Sequence, residues 1–176
     1  MDYKIDVYGN KRWYKGSKFH REDGPAIQYS DGHKEWFIEG KRHRTDGPSI
    51  EDPNGDKYWY EEGLIHRLGG PAIEFVSGTK YWYKEGNLYR EDGPAIEYIN
   101  GDKCWYKEGL RHRLDGPAIE WADGEKEWYK EGQRHREDGP AIEWHNGDKD
   151  YYYLDKYIEC NSNEEYFKLL KLKAFW

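Results

Sequence analysis

Cysteine is nearly absent: Cys104 and Cys160 are the only two in 176 residues. Two thiols with no spacing pattern supply no disulfide framework. Long apolar runs are missing too. No stretch approaches the roughly 20 apolar residues that a membrane helix needs, and residues 1–9 lack the apolar core of a secretion signal. Charge of one sign is not concentrated anywhere. The 28 basic and 35 acidic side chains interleave to a net charge of −7, which argues against a nucleic-acid surface, where phosphate contacts dominate affinity. A reducing cytoplasm, with no membrane or nucleic-acid partner, is the expectation.

A mean hydropathy of −1.25 with 36% charged residues would by itself suit a disordered chain. Against this, 18% of the chain is aromatic, with 17 Tyr and 9 Trp. Each buried ring removes on the order of 150–250 Å² from water. The core is therefore expected to be built from rings rather than from Leu and Val.

Those rings recur with a fixed period. Gly-Pro stands at Gly24-Pro25, Gly47-Pro48, Gly70-Pro71, Gly93-Pro94, Gly116-Pro117 and Gly139-Pro140, 23 residues apart each time. Ile27, Ile50, Ile73, Ile96, Ile119 and Ile142 follow in phase. Lys11 to Lys149, Trp13 to Trp128 and Arg21 to Arg136 form further columns, with Tyr151 closing the Trp series. His precedes the Arg in every copy but the one with Tyr89. A partial copy begins at Gly9 and a degenerate one follows Gly147. Such a period marks a repeat architecture.

Within one copy, Pro94 to Tyr98 alternates as a strand does, with Ile96 and Tyr98 on one side. Asn100-Gly101 is a strong hairpin signal, and Asp102 to Lys107 reads as the return strand. Trp105 and Tyr106 then face opposite ways. Glu108-Gly109 is expected to turn the chain into a polar loop, Leu110 to Asp115. Pro at a strand's first residue costs no ladder bond, so Gly-Pro and Ile are the residues expected to carry the stacking. At the C-terminus, Ser162 and Glu165 form a capping box, and Tyr166 to Trp176 reads as a short helix over the last hairpin. The expected fold is all-β: an elongated, single-layer antiparallel sheet of stacked hairpins, twisted or curved, over residues 1–153. A cap with its helix occupies residues 154–176.

Tyr106, Gly109, Arg111, His112 and Gly124 follow the order of the MORN repeat, and the unit resembles that family over roughly residues 7–153. The chain departs from the family's His-Gly-x-Gly, reading His112-Arg113-Leu114-Asp115-Gly116. The Asp-Gly-Pro-Ala-Ile form is similar to MORN-like proteins of phages and giant viruses and to bacterial MORN-like antitoxins. That resemblance implies a sheet of stacked hairpins and a partner-binding role, in the host cytoplasm if the protein is phage-encoded.

Catalysis needs unlike groups converging on one atom, whereas here each candidate recurs on every copy. No Ser-His-Asp or Cys-His spacing and no phosphate-cradling Gly loop stands out. The expectation is a protein that is not an enzyme, with no catalytic residue, cofactor or metal. His20, His43, His66, His112 and His135 would lie roughly 9–10 Å apart, two strands per copy, whereas zinc needs ligands at about 2 Å. Structural bonds from His and Arg to loop carbonyls, and to the Asp before Gly-Pro, fit better. Arg could instead grip phosphate, and Arg67, followed by Leu68-Gly69 rather than an acid, is the most available. Glu51, Glu74, Glu97, Glu120 and Glu143 either pair with the Lys column or form an acidic stripe.

The functional expectation is a module that binds another protein, of the phage-encoded or antitoxin-like inhibitor kind. Specificity would lie where copies disagree: Asp52-Pro53, Ile65, Leu68-Gly69, Asn87-Leu88-Tyr89 and Cys104, with Arg67 beside them as the arginine most open to a partner. Trp59, Trp82 and Trp105 would be ring anchors of the sort that dominate interfaces. The alternatives are a sponge holding a small molecule such as a nucleotide signal, and a structural spacer.

Overall fold

The computed structural model describes residues 2–172. The chain divides into two compact units, Met1–Leu88 and Tyr89–Trp176. In both, each 23-residue copy contributes four two-residue strands, two to a main antiparallel sheet and two to a side hairpin.

One copy of the second unit shows why. Ile96–Glu97 pairs with Lys103–Cys104, Ile96 opposite Cys104. Between them Tyr98 N–H donates to Asp102 O at 2.9 Å and Gly101 N–H to Tyr98 O at 3.0 Å. Gly101 alone in this turn has a left-handed backbone, at φ +97°. This is the three-residue loop in which a type I turn ends in a glycine bulge. The return segment is not one strand. Trp105 gives its N–H to Ala118 O (2.8 Å) and takes the N–H of His112 (3.1 Å). Its two backbone groups thus serve different neighbours, and the ladder breaks there.

Beyond Trp105 the expected loop is a second hairpin. Tyr106–Lys107 pairs with Leu110–Arg111 through Glu108 (φ +53°) and Gly109 (φ +78°). Two consecutive positive φ values are the mark of a type I′ turn, which suits the twist of tight hairpins. The sequence hid it because Glu seldom adopts this region.

In the first unit the main sheet runs, in chain order, through Asp2–Ile5, Lys11–Lys15, Ile27–Gln28, Lys34–Glu35, Ile50–Glu51, Lys57–Tyr58, Ile73–Glu74 and Lys80–Tyr81. In the second it runs through Ile96–Glu97, Lys103–Cys104, Ile119–Glu120, Lys126–Glu127, Ile142–Glu143 and Lys149–Asp150. Neither closes on itself. Register places the Ile column and the residue after each Lys in one row, as in Ile119 opposite Cys104 and Glu127. Lys and Glu alternate in the neighbouring row. The Ala before each Ile is fully buried at Ala26, Ala72, Ala95, Ala118 and Ala141.

A last side hairpin, Tyr152–Tyr153 with Lys156–Tyr157, uses Leu154-Asp155 as its turn. The helix is Asn163–Leu172, starting earlier than the sequence suggests; residues 173–176 of the expected helix lie outside the described residues. Ser162 Oγ accepts the Glu165 N–H at 3.2 Å, and Glu165 accepts the Asn161 N–H at 3.0 Å. The capping box is therefore real, its return bond shifted by one residue. Tyr166 is fully buried against Tyr151 and Ile158, and its hydroxyl donates to the Arg136 carbonyl at 2.6 Å. Among the described residues, no helix is long and apolar enough to cross a membrane.

Candidate partner-binding surface

In the copies of Trp13, Trp36, Trp59, Trp105 and Trp128 the Arg lies over the Trp. The guanidinium carbon stands 4.1 Å from the ring centre of Trp13 at Arg21, 3.8 Å from Trp59 at Arg67, and 4.0 Å from Trp105 at Arg113. Its other side covers the Gly of Gly-Pro. A Cβ on Gly47 would meet Arg44 Cζ at 2.8 Å, and one on Gly116 would meet Arg113 Cζ at 2.9 Å. Gly is thus required by close approach, not by a left-handed backbone.

The guanidinium edge is engaged as well. Arg113 donates to Asp115 at 3.0 Å, to the Pro117 carbonyl at 3.1 Å and to Glu120 at 2.8 Å. Arg44 and Arg136 repeat the set. Hydrogen bonds from these Arg hold the carboxyls of Asp23, Asp46 and Asp115 below the usual carboxylate range. Arg67 has no such Asp but binds Glu74 at 2.6 Å and the Pro71 carbonyl at 2.9 Å. Its side chain is 31% exposed against 19% for Arg44, so it is more open yet engaged. The Glu row is therefore taken by Arg. The only Lys-column pair within 4 Å among the described residues is Lys34–Glu51, at 3.9 Å.

The His column is structural, with a different partner from the one expected. His20, His66 and His112 do not donate to loop carbonyls. Each accepts at Nδ1 the backbone N–H of the left-handed Glu one copy on: Glu39 at 3.0 Å, Glu85 at 3.0 Å and Glu131 at 3.1 Å. His43 and His135 do the same for Glu62 and Leu154. The cross-copy link satisfies the donor of the turn residue with the most strained backbone.

Grooves open between successive His-Arg loops. In the first unit two of about 460 Å³ are floored by Trp36 and by Trp59. In the second unit one of about 590 Å³ is floored by Trp128. Trp59, Arg67 and Leu68 meet in one groove. The remaining expected contact residues are elsewhere. Asp52 is bound to His33 at the turns. Ile65 and Leu88 sit half-buried in side hairpins opposite Tyr60 and Tyr83. Trp82 and Tyr89 are half-buried. Trp59 and Trp105 lie beneath Arg67 and Arg113 rather than standing open.

The exposed apolar groups are different ones. Leu68 is 78% exposed and Leu114 81%, and each borders a groove. Leu114 was legible, since it occupies the same column as Leu68. Val76 and Ile99 project from the turns, 69% and 70% exposed. Asp123, Glu125 and His145 bring metal-type donor atoms within 4.8 Å of one another. They belong to two successive turns, which only the register brings together. Burial pushes the thiol of Cys104 up to about 11 and that of Cys160 also upward, the opposite of what activates a nucleophile. Among the described residues, no buried side-chain N or O lacks a hydrogen-bond partner.

Neither a protein-family model nor a curated protein matches this chain.

Proposed function

We propose that this is a non-catalytic, MORN-like protein-binding module acting in the cytoplasm, which inhibits a protein partner by covering it. The observation that carries the reading is the placement of Leu68 and Leu114. Both are exposed apolar side chains at groove rims, at a repeat position that holds Glu22, Thr45, Glu91 and Glu137 in the other copies. Stacking of the copies does not require Leu there, because the polar versions stack equally well. The Arg and His columns are meanwhile consumed internally, which leaves surface as what the molecule offers.

Fully burying a leucine stabilises a complex by about 1.5–3 kcal/mol, or on the order of ten- to a hundred-fold in affinity. The test is capture from a lysate, identification of the captured protein by mass spectrometry, and calorimetry with Leu68→Glu and Leu114→Glu. These variants install a residue that other copies already carry, so folding is preserved. The expected result is a stoichiometric partner whose affinity falls about ten-fold or more in at least one variant. No stoichiometric capture at either low or high salt, or binding indifferent to both variants, removes the reading.

A further inference from the structure

A column of seven residue pairs, each seven apart in sequence, joins the main sheet to the side hairpins. Where the main-sheet member is Glu, the hairpin member is Arg. Arg42 donates to Glu35 at 2.8 Å, and Arg134 to Glu127 at 3.2 Å. These glutamates are buried, 6% and 7% exposed. Where the main-sheet member is Tyr58 or Tyr81, the hairpin member is apolar, Ile65 or Leu88. The end pairs are Arg12 with Phe19 and Asp150 with Tyr157. Among the five inner pairs one breaks the matching: Cys104 is paired with Arg111.

Arg111 consequently keeps its frame and lacks its counter-ion. Its guanidinium lies 5.3 Å from the Tyr129 ring centre and donates to the Tyr129 hydroxyl at 3.5 Å. Tyr106 is its partner across the hairpin. No carboxylate approaches it within 4 Å among the described residues. The nearby Glu127 is already engaged by Arg134 and by the Tyr129 hydroxyl, at 2.9 Å. Arg111, Arg134 and Glu127 therefore sum to one uncompensated positive charge on a protein of net charge −7.

We infer that Arg111, framed by Tyr106 and Tyr129, is the seat for a single carboxylate presented by an acidic segment of the protein partner. The inference rests on the protein-binding reading above and names the chemistry of the group recognised. Two other copies show that this frame accepts a planar carboxylate beside an arginine. Charge-assisted pairing supplies the attraction. Neighbouring Glu127 disfavours a phosphate dianion more than it does a singly charged carboxylate, which matches the one uncompensated positive charge.

The full-length protein is titrated with a capped Gly-Tyr-Glu-Tyr-Gly peptide, with its glutamine counterpart, and with inorganic phosphate, while the side-chain Nε–Hε resonances are followed by NMR. The glutamate peptide is expected to shift Arg111 saturably and to leave Arg134 in place, with the glutamine peptide and phosphate each about ten-fold weaker or more. Arg111→Leu, which copies the Leu88 arrangement, abolishes binding of the glutamate peptide as read by calorimetry. Cys104→Glu restores the internal pair seen at Glu35 and Glu127, and so closes the site in a folded protein. Equal response to the glutamine peptide, tighter binding of phosphate, or undiminished binding in Cys104→Glu overturns the assignment. A captured partner lost on Leu68→Glu or Leu114→Glu but retained on Arg111→Leu leaves protein binding standing and removes this seat alone.

Discussion

His66 accepts, at Nδ1, the backbone N–H of Glu85 at 3.0 Å, and Glu85 is held at φ +51°. A side chain of one copy thus clips the turn of the next at its most strained residue. Accepting there requires a neutral imidazole with its proton on Nε2. His66→Ala is expected to destabilise the first unit by about 0.5–1.5 kcal/mol, the net worth of one such bond. Urea unfolding reads it as a lowered midpoint with an unchanged slope. An unmoved midpoint would show that water replaces the imidazole at no cost.

The copy headed by Tyr89 has no imidazole to clip its neighbour, and Glu108 stands there at φ +53° before Gly109. Asn-Gly is the preferred pair for a type I′ turn. Replacing Glu108 with Asn should therefore stabilise the second unit, by about 1 kcal/mol, because Asn occupies the left-handed region at lower cost than Glu. Thermal unfolding gives the sign directly. A lowered melting temperature would mean that the Glu108 side chain contributes something that the backbone geometry does not reveal.

Much of this fold is legible because its strongest signals are local. Gly-Pro-Ala-Ile at a fixed interval marks the sheet, and Ser162 with Glu165 marks the helix start. What stayed hidden depends on residues one copy apart. Glu108-Gly109 does not look like a hairpin turn, because the histidine that supports such a turn elsewhere belongs to the preceding copy. The Gly of Gly-Pro looks like a turn residue, whereas its reason is the guanidinium lying against it. The Lys and Glu rows do face one another, as cross-strand logic expects, but the longer reach of Arg113 and its equivalents captures the Glu first. The mismatch of Cys104 with Arg111 was present in the sequence, but it means nothing until the register shows that residues seven apart share a face.

Acid should loosen the first hairpin before the rest. Arg12 binds Asp6 at 2.7 Å, and this bond, with further ones from Asn10 and Tyr8, lowers the carboxyl from its ordinary 3.8 to about 2. A folded pKa below the unfolded one means stability that is fully present above the unfolded value and lost as pH falls through the folded one. The window is therefore from about pH 4 down to about pH 2. Amide exchange or NMR intensities of residues 2–15 should report opening within it, and Asp6→Asn should flatten that dependence. A wild-type profile unchanged by the substitution would assign the acid response to other carboxyls.

Gly116 offers the sharpest test of the Trp–Arg–Gly stack. Its φ is not left-handed, so alanine is not excluded by the backbone. The obstacle is Arg113 Cζ, which an added Cβ would meet at 2.9 Å. Moving the guanidinium away would loosen its place 4.0 Å from the Trp105 ring and its bonds to Asp115 and Glu120. Gly116→Ala alone is thus expected to cost about 1–3 kcal/mol, the range for overpacking a close contact. In an Arg113→Ala background the obstacle is gone, and the same substitution should cost no more than about 0.5 kcal/mol, giving a coupling energy of the size found for touching residues. Denaturant unfolding of the four proteins of the cycle measures it. Additive costs would mean that Gly116 is demanded by something other than the arginine against it, and the account of all six Gly-Pro steps would fall with it.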